Sequence, residues 1–568
     1  MCGIWGVIGK PITEEAAKSA LKKLAARGPE DARIVAGNHF QLGFTRLAIN
    51  GLTTDGMQPI MEPTNKLYTV CNGEIYNYKD LAERFDIQLQ TGSDCEVLAP
   101  LFTKLAVQTD APTFFRSLDG VFSTIMVHTE SNTAFVARDP YGVRPLFVGY
   151  VLGNPDEFDA SRAGILGADG RKIPIARIVF ASEMKALPLA ECAIVEPFPP
   201  GHYAAYNLDT LDRIGFESYH TVPWIKHPAL AHKESAEVAI RDALIAAVRK
   251  RLMTERPVAA LLSGGVDSSL IAALVQRELV AAGKPPLKTF SIGFKGSEDL
   301  RHARMVAKFI ESEHHEIIMT PDEFFDAVPE VIKAIESYDI TTVRASVGNY
   351  LVSKEIAKQT DCKVVFNGDG SDEVLGGYMY FYNAPSDEAF EAESARLLQD
   401  IHLFDVLRSD RSISSHGLEP RTPFLDKQFV AVARSVATSL RRCVKGKQME
   451  KNILRGAFVE DLLLPDEVLF RRKEAFSDGV SGKEKSWYEI CQEKSLEEVG
   501  EDWSVKAATF KHLPPKTSEA YYYRVLFDRF YRSAERSIVP YHWMPQWSPG
   551  TTDPSARTLS VYPGSQQS

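Results

Sequence analysis

Cys2 stands directly behind Met1 and ahead of Gly3 and an apolar run, Ile4-Trp5-Gly6-Val7-Ile8. Its small side chain permits removal of Met1, and the α-amine so freed, with an intrinsic pKa of about 8, could take the thiol proton. Nucleophile and base would then reside on one residue. A lone early cysteine is ordinarily just a small buried side chain, so the reading depends on what else the chain can bring to it. Arg46 offers a guanidinium fork suited to the α-carboxylate of an amino acid. Asn72, followed by Gly73, could present a side-chain amide and a backbone N–H to a developing oxyanion. Asp94 offers a carboxylate for an α-ammonium group. These are the parts of an acyl-transfer site for an amino-acid substrate.

A second set of residues suits phosphate chemistry. Ser263-Gly264-Gly265-Val266-Asp267-Ser268-Ser269 follows an apolar strand that ends at Leu262, and it opens a helix. Glycines there let backbone N–H groups approach an anion, and hydroxyls and the helix N-terminus add donors. A glycine-rich turn with a serine cap would look the same locally. The loop lacks the Gly-Lys-Ser/Thr of the Walker A type. Asp267 would repel phosphate unless a cation intervened, which makes it a candidate Mg2+ ligand. Asn367-Gly368-Asp369-Gly370-Ser371-Asp372-Glu373 follows a further strand and combines glycine flexibility with three carboxylates. Lys473 lies in a charged stretch where a lysine, taken alone, reads as solvated.

The elements that must position these groups change texture along the chain. Up to about residue 206 short β-segments prevail (41–49, 67–70, 121–128, 133–137, 146–151 and 177–182), interrupted by helical patterns at 13–26 and 95–105. This predicts an α+β sandwich over 2–206. From about 235 strands alternate with amphipathic helices: strands at 258–262, 289–294 and 363–366, helices at 267–282 and 299–312. That alternation predicts an α/β doubly wound parallel sheet over 235–539, with helical additions prominent across 388–436. The polar stretch 207–234 reads as a linker, and the Pro/Gly/Ser/Thr-rich 540–568 as a loose tail. An excursion at 152–172 reads as a surface loop.

At 568 residues the chain exceeds one ordinary core, and 44% hydrophobic with 25% charged residues is a globular balance. A net charge of −10 argues against neutralising nucleic-acid phosphates. No apolar run approaches the roughly 18 residues of a membrane span, and there is no secretory pattern at the N-terminus. Seven scattered cysteines without a C-x-x-C pair suit reduced thiols in a cytoplasmic protein. A homodimer is compatible with the sequence.

The N-terminal set, together with Arg27-Gly28-Pro29-Glu30-Asp31 and the stretches 138–146 and 181–187, resembles the class II, N-terminal-nucleophile glutamine amidotransferases over residues 2 to about 200. The resemblance implies an αββα Ntn-hydrolase sandwich with Cys2 as nucleophile. It also implies Asn72 and Gly73 as oxyanion hole, with Arg46, Asn72, Gly73, Glu74 and Asp94 holding glutamine. The S-G-G-x-D-S-S loop resembles the PP-loop of ATP pyrophosphatases, which cleave ATP between the α- and β-phosphates. That implies ATP binding by Leu262, Ser263, Gly264, Gly265, Asp267, Ser268, Ser269, Asn367 and Gly368, with Ile292 along the adenine.

Stretches 336–346, 419–426 and 471–479 extend the likeness to the asparagine synthetase family, so that it covers most of 2–530. For that family the expected substrates are ATP, L-aspartate and L-glutamine, with Mg2+ arriving with ATP and no prosthetic group. Lys473 would stabilise charge on the α-phosphate, Asp267 and Asp372 would hold the metal, and Asp369 and Asp372 would serve formation of an aspartyl-AMP. One departure stands out: the usual Ser-Gly-Glu-Gly-Ser-Asp-Glu has Asn367 for its serine and Asp369 for its glutamate. It leaves open an amide ligase of the same PP-loop type with another carboxylate acceptor. A non-catalytic regulator that binds glutamine or nucleotide is the reading from outside enzymology.

Overall fold

Two units make up the chain, Met1–Thr221 with Ser414–Gly417 and Tyr531–Ile538 in one, and the remainder in the other. The computed structural model describes residues 1–62, 66–106, 110–154, 162–166, 172–223, 228–474, 479–481, 485–531, 534–555 and 558–559. Among these residues no helix is long and apolar enough to cross a membrane.

In chain order the strands of the first unit are β1 (Gly3–Gly9), β2 (Asp31–Ala36), β3 (Phe40–Arg46), β4 (Ile60–Glu62), β5 (Leu67–Ile75), β6 (Gly120–His128), β7 (Thr133–Arg138), β8 (Phe147–Leu152), β9 (Gly164–Leu166), β10 (Lys172–Ala181), β11 (Cys192–Pro197), β12 (His202–Asn207) and β13 (Arg213–Ser218). The apolar run behind Cys2 becomes β1, a central strand buried at every residue. It pairs antiparallel with β3 and β10, within the order β11-β8-β10-β1-β3-β2, and β9 adds to β10. A second sheet runs β13-β12-β7-β6-β5-β4. Ile4, Ile8, Phe44 and Phe180 of the first sheet bury against Val70, Ile125, Val136 and Ala204 of the second in one core. The helix Glu14–Lys22, capped by Thr13, covers the far face of the first sheet, where Gly43 leaves room for Leu21. On the far face of the second, Phe102 of the helix Leu98–Ala106 meets Phe135 of β7 with ring centroids 4.8 Å apart. This is the expected αββα sandwich.

The second unit carries β14 (Val258–Leu261), β15 (Lys288–Gly293), β16 (Glu313–Ile318), β17 (Val364–Phe366) and β18 (Glu419–Arg421), all parallel, in the order β16-β15-β14-β17-β18. The chain leaves β14 first toward one edge and later returns to the other side of it. The carboxyl ends of β14 and β17 therefore flank the crevice where open α/β sheets take ligands. Both glycine-rich loops start there.

The readings of 207–234, of the tail and of 152–172 need correction, and one short strand escaped the sequence. The stretch 207–234 is no plain linker, because β13 pairs along β12 and completes the second sheet. As an edge strand exposed at Arg213, Ile214, Phe216 and Glu217 it lacks the alternation that marks a half-buried strand. Helices do prevail across 388–436, and the strand there, β18, is of three residues, too short to register as a pattern. Among the described residues of the tail, Trp543 and Leu559 lie in an apolar cluster and Asp553 is buried. Of the 152–172 excursion, β9 is a strand, and 155–161 and 167–171 lie outside the described residues.

The stretch 419–426 shows how the second unit positions its loops. Arg421 pairs with Glu419 and donates to the carbonyls of Arg251 (3.1 Å) and Met253 (3.3 Å), tying β18 to the helix Lys233–Arg251. Asp426 caps the helix Lys427–Ser435 through the N–H groups of Gln428 (2.9 Å) and Phe429 (3.2 Å), and also pairs with Arg251 and Lys250. Leu425 is thereby set against Gly370, whose φ of +92° and lack of a Cβ admit it. Burial alone would raise the Asp426 carboxyl, but the charges of Arg251 and then Lys250 hold it well below the usual carboxylate range. A depressed native pKa stabilises the fold above the unfolded value of about 4, and the gain is lost as pH falls toward the native value. Asp426→Ala should therefore cost about 3–5 kcal/mol at pH 7. Its deficit relative to the parent should shrink as the medium is acidified below about pH 4, measured by urea unfolding across pH.

Candidate active sites

In the first unit the N-terminus is held by the residues around it. Arg27 donates from Nε to the carbonyl of Cys2 (3.1 Å) and pairs through Nη1 with the buried Glu183 (2.9 Å), which Lys185 also contacts (2.7 Å). Ile4 and Ser182 exchange bonds, N–H to Oγ and N–H to carbonyl, both at 2.9 Å. Gly28 is a glycine because a Cβ there would lie 2.3 Å from the Thr45 carbonyl oxygen. The stretches around 27–31 and 181–187 therefore seat the chain terminus. Met1 is buried, and the half-buried Cys2 directs its thiol at the carbonyl of Leu47 (3.6 Å).

The other predicted residues form one linked rim. Arg46 donates to the carbonyls of Gly51 and Thr53, each at 2.6 Å, and so shapes the loop that follows β3; its remaining N–H groups are further donors. Gly51, at φ +62°, packs so closely on the backbone of 91–93 that a Cβ would meet the Ser93 nitrogen at 2.7 Å. Asp94 accepts the N–H of Ile75 (2.7 Å) at the end of β5, and Glu74 accepts from the Asn50 amide (2.8 Å). Asn72 is fully buried on β5, and neither its Oδ1 nor its Nδ2 meets a hydrogen-bond partner. A buried amide left unpaired is costly, and it is what a site reserving a donor for a ligand oxygen would hold. Gly73 beside it tolerates no side chain, since a Cβ would lie 2.1 Å from the Val121 carbonyl oxygen.

In the second unit the predicted loops line one cavity of about 190 Å³. The helix Val266–Ala281 starts at Gly265 without a side-chain cap, so its leading N–H groups are available to an anion. Ser263 and Ser268 hydroxyls lie 3.0 Å apart and close the loop on itself, while Gly264 (φ +71°) passes His302 where a Cβ would not fit. The Ser269 hydroxyl is buried without a partner. Leu262 and Ile292 are buried in the cavity wall. Gly368 brings the two loops into backbone contact, a Cβ there falling 2.7 Å from the Ser268 nitrogen.

Four charges cross this contact. Lys451 places Nζ 2.5 Å from Asp267 and 2.6 Å from Asp372; Lys473 sits 2.6 Å from the other Asp372 oxygen and 4.0 Å from Asp267. Ser371 donates to the second Asp267 oxygen at 2.8 Å. Burial would raise the Asp372 carboxyl, yet Lys451 and then Lys473 hold it well below its usual range. Burial would lower the Lys473 ammonium, yet Asp372 and then Asp267 push it up, so the cation persists at neutral pH. The two carboxylates already converge on one shared cation beside a phosphate-type loop. That donor set fits a Mg2+ that is otherwise ligated by nucleotide and water. Among the described residues no three or more His, Cys, Asp or Glu side chains gather as a self-sufficient metal cage.

Beyond the quartet lies a more acidic end. Arg408 reaches Asp369 (3.0 Å) and Asp405 (2.8 Å), while Tyr378 donates to Glu373 and to Asp405 (3.2 Å). The other Asp369 oxygen is buried without a partner. Burial, then Asp405 and then Asp372, push the Glu373 carboxyl well up. Asn367 is anchored by donating to the Ser409 hydroxyl at 2.6 Å. Arg471 pairs with Asp299 (2.7 Å), whose carboxyl burial pushes up to about 6 against the pull of Arg471. Residues 475–478 of the stretch at 471–479 lie outside the described residues. Sequence reasoning missed Lys451, Arg408, Tyr378 and Asp405. For Lys451 the signal is structural: a lysine at φ +56°, a conformation that costs roughly 1–3 kcal/mol and clusters at functional sites.

An amide-cleaving unit followed by a nucleotide-activating one is the plan of a ligase that takes nitrogen from glutamine. The sequence matches the glutamine amidotransferase domain family over residues 1–219 and the asparagine synthase family over 239–393 and 382–553. Asparagine synthetase [glutamine-hydrolyzing] of Gallus gallus is 42% identical over 581 residues, and that of Homo sapiens 40% over 581, each covering 99% of both chains. The chain belongs to the family of glutamine-hydrolysing asparagine synthetases. Among solved structures, a glutamine phosphoribosylpyrophosphate amidotransferase from B. subtilis is 19% identical, with a TM-score of 0.30 over 50% of this chain and 65% of that one. The likeness is too partial to add to the assignment.

The quartet makes a direct stability prediction. Lys451→Met leaves two buried carboxylates short of a cation and should cost about 3–5 kcal/mol. Adding Asp267→Asn removes one of the carboxylates and should return part of that loss. Denaturant unfolding of the single and double variants checks this; strictly additive losses would contradict the coupling.

Proposed function

We propose that the chain converts L-aspartate, L-glutamine and ATP into asparagine, glutamate, AMP and pyrophosphate, through a β-aspartyl-AMP. The observation that supports this most is the single cavity shared by the PP-loop, the 367–373 loop, Lys451 and Lys473. A carboxylate does not lose oxide to ammonia, so it must first gain a leaving group. Adenylation supplies one: an aspartate oxygen attacks the α-phosphorus, and pyrophosphate departs with the electrons of the broken P–O bond. Here catalysis is positioning and neutralisation. The N–H groups at the start of the helix Val266–Ala281 receive phosphate oxygens, and Lys473 faces the charge that develops at the α-phosphate. Mg2+ bound with ATP would be held by Asp267 and Asp372 and would neutralise phosphate charge. Arg408 and the unpartnered Asp369 oxygen suit the carboxylate and ammonium of aspartate respectively. Ammonia then attacks the acyl carbon, and AMP leaves.

The ammonia comes from the first unit. Once Met1 is removed, the α-amine of Cys2 takes the thiol proton, and the thiolate attacks the glutamine amide carbon. The Asn72 amide and the Gly73 N–H receive the oxyanion, Arg46 the α-carboxylate, and Asp94 with Glu74 the α-ammonium. The Cys2 α-ammonium returns its proton to the amide nitrogen as the C–N bond breaks, ammonia leaves, and water releases glutamate from the thioester. Ammonia is mostly protonated, hence unreactive, near neutral pH, so its direct passage to the acyl-AMP is part of the proposal.

Cys2→Ala should abolish glutamine-dependent synthesis and leave ammonia-dependent synthesis intact, followed by pyrophosphate release and by the mass of the processed N-terminus. Loss of both in a folded variant would overturn the two-site reading, and silence of the parent with aspartate would overturn the choice of acceptor. Asn72→Ala should lower glutaminase kcat by about 10²–10³, with ammonia-dependent synthesis as the control.

A further inference from the structure

The segment expected to be a loose tail reaches the cavity. Trp543 is 6% exposed and contributes to the cavity wall. Its ring lies 5.4 Å from Tyr378 and 6.0 Å from Tyr380, centroid to centroid, in tilted and edge-on arrangements. Such aromatic contacts resist displacement beyond the area they bury. Tyr378 in turn carries the hydroxyl shared between Glu373 and Asp405. Burial and the Asp405 charge disfavour a second charge at Glu373, and the hydroxyl that both acids face is placed by where that ring is held.

Two anchors, one the N-cap and one in the first turns of the helix Ile340–Gln359, hold the segment. Asp339 caps this helix through the N–H of Thr342 (3.0 Å), and its other oxygen accepts the backbone N–H of Trp543 (2.9 Å). One turn on, the buried Arg344 grips Asp553 through two N–H groups (2.9 and 2.7 Å) and Glu519 through two more. Gln492 and the Ser555 N–H complete the shell of Asp553. Thr341, Ala345, Asn349 and Val352 of the same helix line the cavity. One element thus forms the wall and fastens the segment that closes it.

We propose that 540–555 is a strap belonging to the acceptor half of the site, with Trp543 the positioning residue that sets Tyr378 between Glu373 and Asp405. The strap therefore governs binding of the amino-acid acceptor and leaves the nucleotide loop alone. This rests on the reading of the acidic end as the acceptor end.

The test uses the full chain with ammonia as nitrogen source and pyrophosphate as readout. Trp543→Ala should raise the KM for aspartate about tenfold while the KM for ATP stays within about twofold, and Trp543→Phe should restore most of the difference. Asp553→Ala, whose side chain lines no part of the cavity, should shift the aspartate KM in the same direction. An unchanged aspartate KM in Trp543→Ala, or an equal rise in both KM values, would overturn the proposal. Hydrogen exchange by mass spectrometry gives a readout independent of the acceptor. Exchange at 373–383 should rise in Trp543→Ala with 263–269 unaltered, and no change at 373–383 would equally overturn the strap. A parent inactive with aspartate would count against the proposed substrate, while the exchange result would still decide the strap.

Discussion

Two aspartates and two lysines, packed where two loops touch, set the terms for the second unit. Taking four charges out of water is expensive, and their mutual attraction offsets this only when the geometry is tight and every lone pair is served. That demand explains features that otherwise look unrelated. Gly368 must be bare so that Asp267 and Asp372 can approach from loops following different strands. Ser371 must satisfy the far oxygen of Asp267. Lys451 must enter through a left-handed backbone conformation, passing so close to Gly377 that a Cβ there would overlap its chain at 2.0 Å. The quartet is neutral as it stands, at the uncapped start of a helix. An incoming polyanion thus meets a site whose own charges are already balanced, with free N–H donors beside them.

The first unit solves its positioning problem with backbone and glycine more than with charge. Its buried pair, Arg27 with Glu183, fixes where the chain begins, while Gly28, Gly51 and Gly73 let segments touch that side chains would hold apart. The exception is Asn72, whose amide is buried with both ends unpaired. Arg46, Glu74 and Asp94 around it are all engaged, and an unpaired buried amide among them is the donor that the proposed oxyanion role calls for.

How much of this could be read in the sequence follows from how local each feature is. The strands around the core and the helix after the PP-loop were legible because their patterns fit within a dozen residues. Cys2, Asn72-Gly73 and S-G-G-x-D-S-S were legible because each motif adjoins the element that carries it. Lys451 was not, since its partners lie 184 and 79 residues away in sequence and its own neighbourhood is an unremarkable basic stretch. β18 was hidden because three residues carry no periodicity, and β13 because an exposed edge strand has no buried face to display. The stretch after 540 misled through composition. Proline, glycine and serine do suggest loose chain, but one tryptophan and one aspartate with prepared partners are enough to fasten an extended segment.

The same view clarifies the two unusual residues of the 367–373 loop. Asn367 is longer than the family's serine, and it uses that length to reach the Ser409 hydroxyl. Asp369 is shorter than the family's glutamate, and it is drawn back to Arg408. Both partners sit on one helix, Asp405–Ser414, so the substitutions act together and dock the loop onto that helix. The loop thus keeps a carboxylate at this position, with one oxygen paired to Arg408 and the other buried without a partner. In the same cavity wall Trp543 packs against Tyr378. On the proposed reading of this end as the acceptor end, Asp369, held by Arg408, and Tyr378, held by Trp543, are the side chains that would face the amino acid.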